Sequence, residues 1–209
     1  MMHRMVLSRG GALLGALTCL AAVSLAVPAT ASASATSLTR CGSITVPGKY
    51  RLDANVTGTD ICFLIFANDV TLRLNGHTVQ GQSADLGIFV IGAKVDIVGP
   101  GTITGWGAAG IGFVNPPTGQ GGKGSVRHVT VTNNRGVGIG IASAGNEIRH
   151  NVITDNGSGI HIFSGSGNTI TGNFAHNNAS FDMEDENANC DSNVWRHNDF
   201  ATANIGCIH

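Results

Sequence analysis

Between Val137 and Met183 one pattern is written twice, first as VGIGIASAGNEIRHNVITDN and then as GIHIFSGSGNTITGNFAHNN. Asn146, Ile148, Asn151 and Ile153 recur 22 residues later as Asn168, Ile170, Asn173 and Ala175. A period near 22 that combines strand-like alternation with Gly and Asn corners marks a repeat architecture, in which one unit cannot bury its apolar side alone. Such a chain builds its core by stacking.

The segment ahead of the repeats reads differently. His3, Arg4 and Arg9 precede an apolar run from Ala12 to Val27, and the small residues of ATASASA follow. That order is expected of a signal peptide over residues 1–35, cleaved after Ala35, with a domain over 36–209. Removing Arg4 and Arg9 leaves ten Lys and Arg against thirteen Asp and Glu, a formal charge of −3. An acidic balance argues against nucleic acid as the main partner, since phosphate binding needs clustered cations. No second apolar run is long enough for a span, so no membrane contact is expected after cleavage. Cys41, Cys62, Cys190 and Cys207 fall as one pair at each end, and an exported chain meets an oxidising compartment. Four cysteines allow three connectivities; the expected one joins Cys41 to Cys62 and Cys190 to Cys207.

Gly87, Gly110, Gly138 and Gly159 each precede an isoleucine and open successive turns. Val70, Leu72 and Leu74 alternate with Thr71 and Arg73, the period of two that turns one face inward. About seven turns fit, each of two or three short strands paired with the turns above and below. Val131, Ile153, Ala175 and Phe200 form one expected inward ladder. Ile111, Ile139, Ile160 and Phe181 form another, beside Phe113, Ile141, Ile162 and Met183. Asn151, Asn173 and Asn198 are expected to stack at a corner, amide on amide. The segment Val114 to Gly124 reads as a loop inserted into one turn.

The Gly-Ile-x-Ile starts, together with GNTITGN at Gly167 to Asn173, resemble the parallel β-helix repeats of the pectate-lyase-like superfamily. The opening, with Cys41, Leu52-Asp53-Ala54, Cys62 and VTLRLNGHTVQG, resembles small secreted right-handed β-helix proteins common in actinobacteria. The resemblance implies an all-β fold, a single-stranded right-handed parallel β-helix, and an extracellular location. It leaves the activity open, because the fold hosts lyases, hydrolases, adhesins and other proteins.

Outward ladders are where chemistry is expected. One reads Phe89, Gly112, Gly140, His161 and Asp182, with Glu184 two residues further on the same side. Two glycines leave a trough, and Trp106 and the inserted loop supply an expected aromatic wall for an extended polysaccharide. Phe89, Gly112, Gly140 and Trp106 are thus the candidate substrate-binding residues, and His161, Asp182 and Glu184 the candidate catalytic ones. In a uronate lyase, His161 oriented by Asp182 is the base, while Asp182, Glu184, Asp185 and Glu186 offer oxygen ligands to Ca²⁺. In a glycosidase, Asp182 and Glu184 would flank the bond. The sequence contains neither a pectate-lyase arginine motif nor a polygalacturonase aspartate pair.

The leading expectation is a secreted protein that binds, and in the enzymatic reading cleaves, an acidic polysaccharide. The alternative is a noncatalytic surface or envelope β-helix, with no cofactor. A copper-related periplasmic role stands third, because only Met183 and scattered histidines could serve it. Arg127-His128, Arg149-His150 and Arg196-His197 suggest a basic ridge at a corner, which Thr171-Gly172 interrupts.

Overall fold

A strand of two to seven residues is too short to stand free, and it becomes stable when it finds the same strand one turn away. In the computed structural model, which describes residues 34–82, 85–116 and 121–209, those pairings form three parallel sheets. The expected leader cleavage lies at the edge of this range, residues 1–33 of the leader are outside it, and so is the middle of the inserted loop at 117–120.

Each turn visits the sheets in the same order. Glu147–Arg149 lies in sheet A, Val152–Thr154 in sheet C and Ser158–Ser164 in sheet B, after which Thr169–Thr171 returns to sheet A. Among the described residues sheet A has eight strands and sheets B and C seven each, a parallel solenoid of about seven turns. The core is the space between the sheets. Val131, Ile153, Ala175 and Phe200 stand in register as expected, and Ile148, Ile170 and Trp195 stack on sheet A.

One expected ladder is corrected at its last rung. Ile160 pairs with Met183 and Ile162 with Asp185, whereas Phe181 lies outside the strand. The cause is a turn of unequal length. Asn156 precedes Ile160 by four residues, but Asn178 precedes Met183 by five.

Asparagines stack in three columns: Asn151, Asn173 and Asn198; Asn146, Asn168 and Asn193; Asn134, Asn156 and Asn178. In each step the side-chain oxygen of one asparagine accepts both the backbone N–H and the amide N–H of the asparagine one turn earlier. Asn146 gives Asn168 two such bonds, of 2.8 and 2.9 Å. In the other two columns the second amide hydrogen reaches a backbone carbonyl, as from Asn156 to Val131 at 3.1 Å, while Asn146 gives it to Ser143 Oγ at 2.9 Å. Buried amides need all these partners, and the columns supply them from within the repeat. The third column carries the same 22-residue spacing in the sequence, at Asn134, Asn156 and Asn178.

The asparagine-to-asparagine bonds of a column all run toward the C-terminal end, so a column's last member needs an acceptor beyond it. Asp182 serves Asn178: its carboxylate accepts the backbone N–H and Nδ2 of Asn178 at 3.2 and 2.9 Å. Its second oxygen accepts from Ala201 N, Thr202 N and Thr202 Oγ1. Asp185 serves Asn193 through one bond, from Nδ2 at 3.1 Å, while the Asn193 backbone N–H goes to the Cys190 carbonyl; it also takes the Trp195 indole N–H at 3.0 Å.

The two disulfides close as expected, Cys41 with Cys62 and Cys190 with Cys207. The first joins residues that lead into the paired strands Gly42–Ile44 and Phe63–Ile65. The second ties the segment after the last strand to the short turn Ala188–Cys190, near which Ile208 is buried.

Candidate functional site

On the outer face of sheet B the register sets Leu64, Phe89, Gly112, Gly140, His161 and Glu184 in one column. His161 therefore faces Glu184. Asp182 does not join it: the side chain is 1% exposed and its five donors come from the column end and the following segment. Burial alone would raise the Asp182 pKa, but the hydrogen bonds from Asn178, Ala201 and Thr202 outweigh it and hold the carboxyl below its ordinary value. Asp182 is a structural anion, and Asp185, equally buried, is likewise occupied as a hydrogen-bond acceptor. Neither offers an open oxygen to a metal or substrate.

Trp106 is also reassigned. It is fully buried, its indole N–H donates to the Val79 carbonyl at 3.2 Å, and it forms no wall of the trough. Space for the ring comes from three glycines. A Cβ on Gly58, Gly81 or Gly87 would lie 3.1, 2.6 or 2.9 Å from an indole atom.

The trough itself is present. A concavity of about 220 Å³ with apolar walls runs over Gly112 and Gly140, bounded by Leu86, Phe89, Val137 and Phe163. The phenylalanine rings lean over the glycines: a Cβ on Gly112 would be 3.3 Å from Phe89, and one on Gly140 3.1 Å from Phe163. Phe163 is the residue that sequence reasoning missed. Register slips beside it, since Ile141 pairs with Ile162 but Ala142 with Ser164, so Phe163 is the extra residue of a bulge. A bulge re-aims its side chain, and here it leaves Phe163 43% exposed with its ring 3.8 Å, centroid to centroid, from His161. An aromatic residue two positions after an outward histidine was the available signal.

At the end of the trough the polarity changes. His161 Nδ1 lies 3.3 Å from Glu184 Oε2, and His161 Nε2 lies 2.9 Å from Glu186 Oε1. Ser158 Oγ adds a 3.4 Å contact to Glu184. The His161 and Glu184 side chains are mostly covered, while that of Glu186 is half exposed. One donor atom from each of the three lies within 4.8 Å of the others, a cluster of the kind that holds a metal ion. The expected trio of His161, Asp182 and Glu184 is thus replaced by His161, Glu184 and Glu186.

Residues 63–206 match the family described as periplasmic copper-binding protein (NosD), which covers well over half of the chain. The chain belongs to the NosD family. No curated protein and no solved structure matches it. Membership in this periplasmic NosD family and the presence of two disulfides both point to an extracytoplasmic location. No helix of the described residues is long and apolar enough to cross a membrane.

Proposed function

We propose that this chain is a secreted, noncatalytic binding protein that holds a divalent transition-metal ion at His161, Glu184 and Glu186. The observation that carries the reading is the approach of three donors, one imidazole nitrogen and two carboxylate oxygens, to within 4.8 Å at the rim of an apolar trough. The family name suggests copper, and the donor set bears on which oxidation state fits. Cu(I) favours thiolate and thioether sulfur. Cys41, Cys62, Cys190 and Cys207 are all in disulfides, and Met183 is fully buried in the core. Imidazole with carboxylates suits Cu(II), which binds a given nitrogen and oxygen site more tightly than the other divalent ions of its row. Calcium fits less well, because it takes six to eight oxygens and Asp182 and Asp185 already accept hydrogen bonds through their carboxylates.

The lyase reading loses support on the same geometry. Both ring nitrogens of His161 face carboxylates, so neither is directed at a substrate proton. Two carboxylates at the end of the trough also repel an acidic sugar.

Calorimetric titration and electron paramagnetic resonance with Cu(II) test the reading. Wild type is expected to bind one ion with a spectrum showing nitrogen coordination. His161→Ala is expected to lose that signal, and Glu186→Gln to bind about tenfold or more weakly, the usual scale for an altered metal site. Equal binding by the wild type and both variants would sink the proposal. Release of unsaturated uronate from polygalacturonate or alginate, abolished in His161→Ala, would restore the lyase reading in its place.

A further inference from the structure

Register on the outer face of sheet A gathers cations that lie far apart in the sequence. Arg51 stands beside Arg73, Arg73 beside Val98, and Val98 beside Arg127. Arg127 stands beside Arg149, Arg149 beside Thr171, and Thr171 beside Arg196. Five of these seven consecutive rungs are arginine. They are half of the ten Lys and Arg in the segment 34–209, which as a whole is acidic. The residues next to them in each strand, Leu72, Val126, Ile148 and Trp195 among them, are buried, so the arginines face outward.

Few acids offset the column. Arg51 Nε lies 3.0 Å from Asp53, and Arg149 Nε lies 3.4 Å from Glu147. The second contact is not aligned as a hydrogen bond, which leaves the buried Arg149 Nε without a partner. Among the described residues Arg73, Arg127 and Arg196 have no ion pair. The neighbouring outward column adds Lys49, and it adds Asp96 and Glu147 against it, with Asp96 accepting a 2.6 Å bond from Ser125 Oγ. Neighbouring rungs of a parallel sheet are roughly 4.8 Å apart, and like charges set side by side repel. An anion bridging two rungs relieves that repulsion.

We propose that this arginine column is a docking surface for a linear acidic polysaccharide, lying along the long axis of the solenoid with its carboxylates on the guanidinium groups. The planar fork of arginine matches a carboxylate in two parallel hydrogen bonds. A rigid row of such forks suits a polymer that repeats its charge along one direction. Single-stranded nucleic acid fits the same charge but needs aromatic platforms for its bases. The exposed Phe163 and Phe174 lie on sheets B and C instead. The proposal is independent of the metal reading, whose residues are all on or next to sheet B.

Binding of polygalacturonate to the full chain, followed by calorimetry at low and at near-physiological salt, tests it. Wild type is expected to bind polygalacturonate and not a neutral glucan, with affinity falling as salt rises. Arg73→Gln/Arg127→Gln/Arg196→Gln, which leaves the two paired arginines in place, is expected to bind about tenfold or more weakly and with a shallower salt dependence. Circular dichroism would verify that this variant is folded. His161→Ala is expected to bind the polymer as wild type does. Unchanged binding in the triple variant, loss of binding in His161→Ala, equal binding of the neutral glucan, or tighter binding of single-stranded DNA would each overturn the proposal.

Discussion

Asp182→Ala is expected to lower the stability of the protein by about 4 kcal/mol, because it strands two buried donors of Asn178 and two part-buried backbone donors at once. The two N–H groups of Asn178 and the backbone N–H groups of Ala201 and Thr202 all lose their acceptor. Asn178 is the last member of a column, so its amide has no further asparagine to turn to. The loss is a large share of the 5 to 15 kcal/mol that holds an ordinary domain folded. Equilibrium unfolding in urea measures it, and a change within about 0.5 kcal/mol, the range of ordinary surface substitutions, would show that the carboxylate is not a structural anion. The pH dependence has a definite sign. The Asp182 pKa is held below its ordinary value of 3.8 in the folded state, so its contribution is fully present above that value. It is lost as the pH falls through the lower, folded value. Asp182→Asn, which does not titrate there, is expected to flatten the acid side of the stability profile. Its amide also turns N–H groups toward donors, so it should not recover the wild-type stability at neutral pH.

Trp106→Ala is expected to cost about 3 to 5 kcal/mol, the scale for emptying a buried aromatic site. The ring fills a space that Gly58, Gly81 and Gly87 leave open, and those backbones cannot collapse into it without breaking strand pairing in sheets B and C. The indole also satisfies the Val79 carbonyl. Gly81→Ala attacks the same packing from the other side, with a Cβ only 2.6 Å from the ring, and should destabilise as well. A drop in the urea midpoint for both variants, with Cu(II) binding at His161 retained under folding conditions, is the expected result. If Trp106 were instead a wall of the ligand groove, its loss would leave stability nearly unchanged and weaken binding.

How much of this was legible beforehand depended on the constancy of the repeat. Where the period stayed at 22, single residues were placed correctly: Val131, Ile153 and Ala175 in one inward ladder, Asn151 over Asn173 at a corner. Trp106 was misplaced because an aromatic residue beside glycines reads alike as a groove wall and as a core plug. Only the three glycines converging from different turns distinguish the two. His161 faces outward as its ladder predicts, and its partner is Glu184 instead of Asp182 because the turn from Asn178 carries one more residue before its strand.

The amino-acid sequence by itself determined a stacked β-solenoid, the asparagine corner and the glycine-floored outer trough. These follow from local alternation and from a period repeated without change. Tertiary structure decided that His161 meets Glu184 and Glu186, that Asp182 and Asp185 terminate asparagine columns, and that Arg51 and Arg73 join Arg127, Arg149 and Arg196. The rungs of that arginine column are 22, 25, 29, 22, 22 and 25 residues apart, so no fixed period connects them. Hydrogen bonds between strands absorb the extra residues into corners and loops, and a shift of one residue would turn a side chain to the opposite face. Which side chains become neighbours across turns is therefore a property of the register.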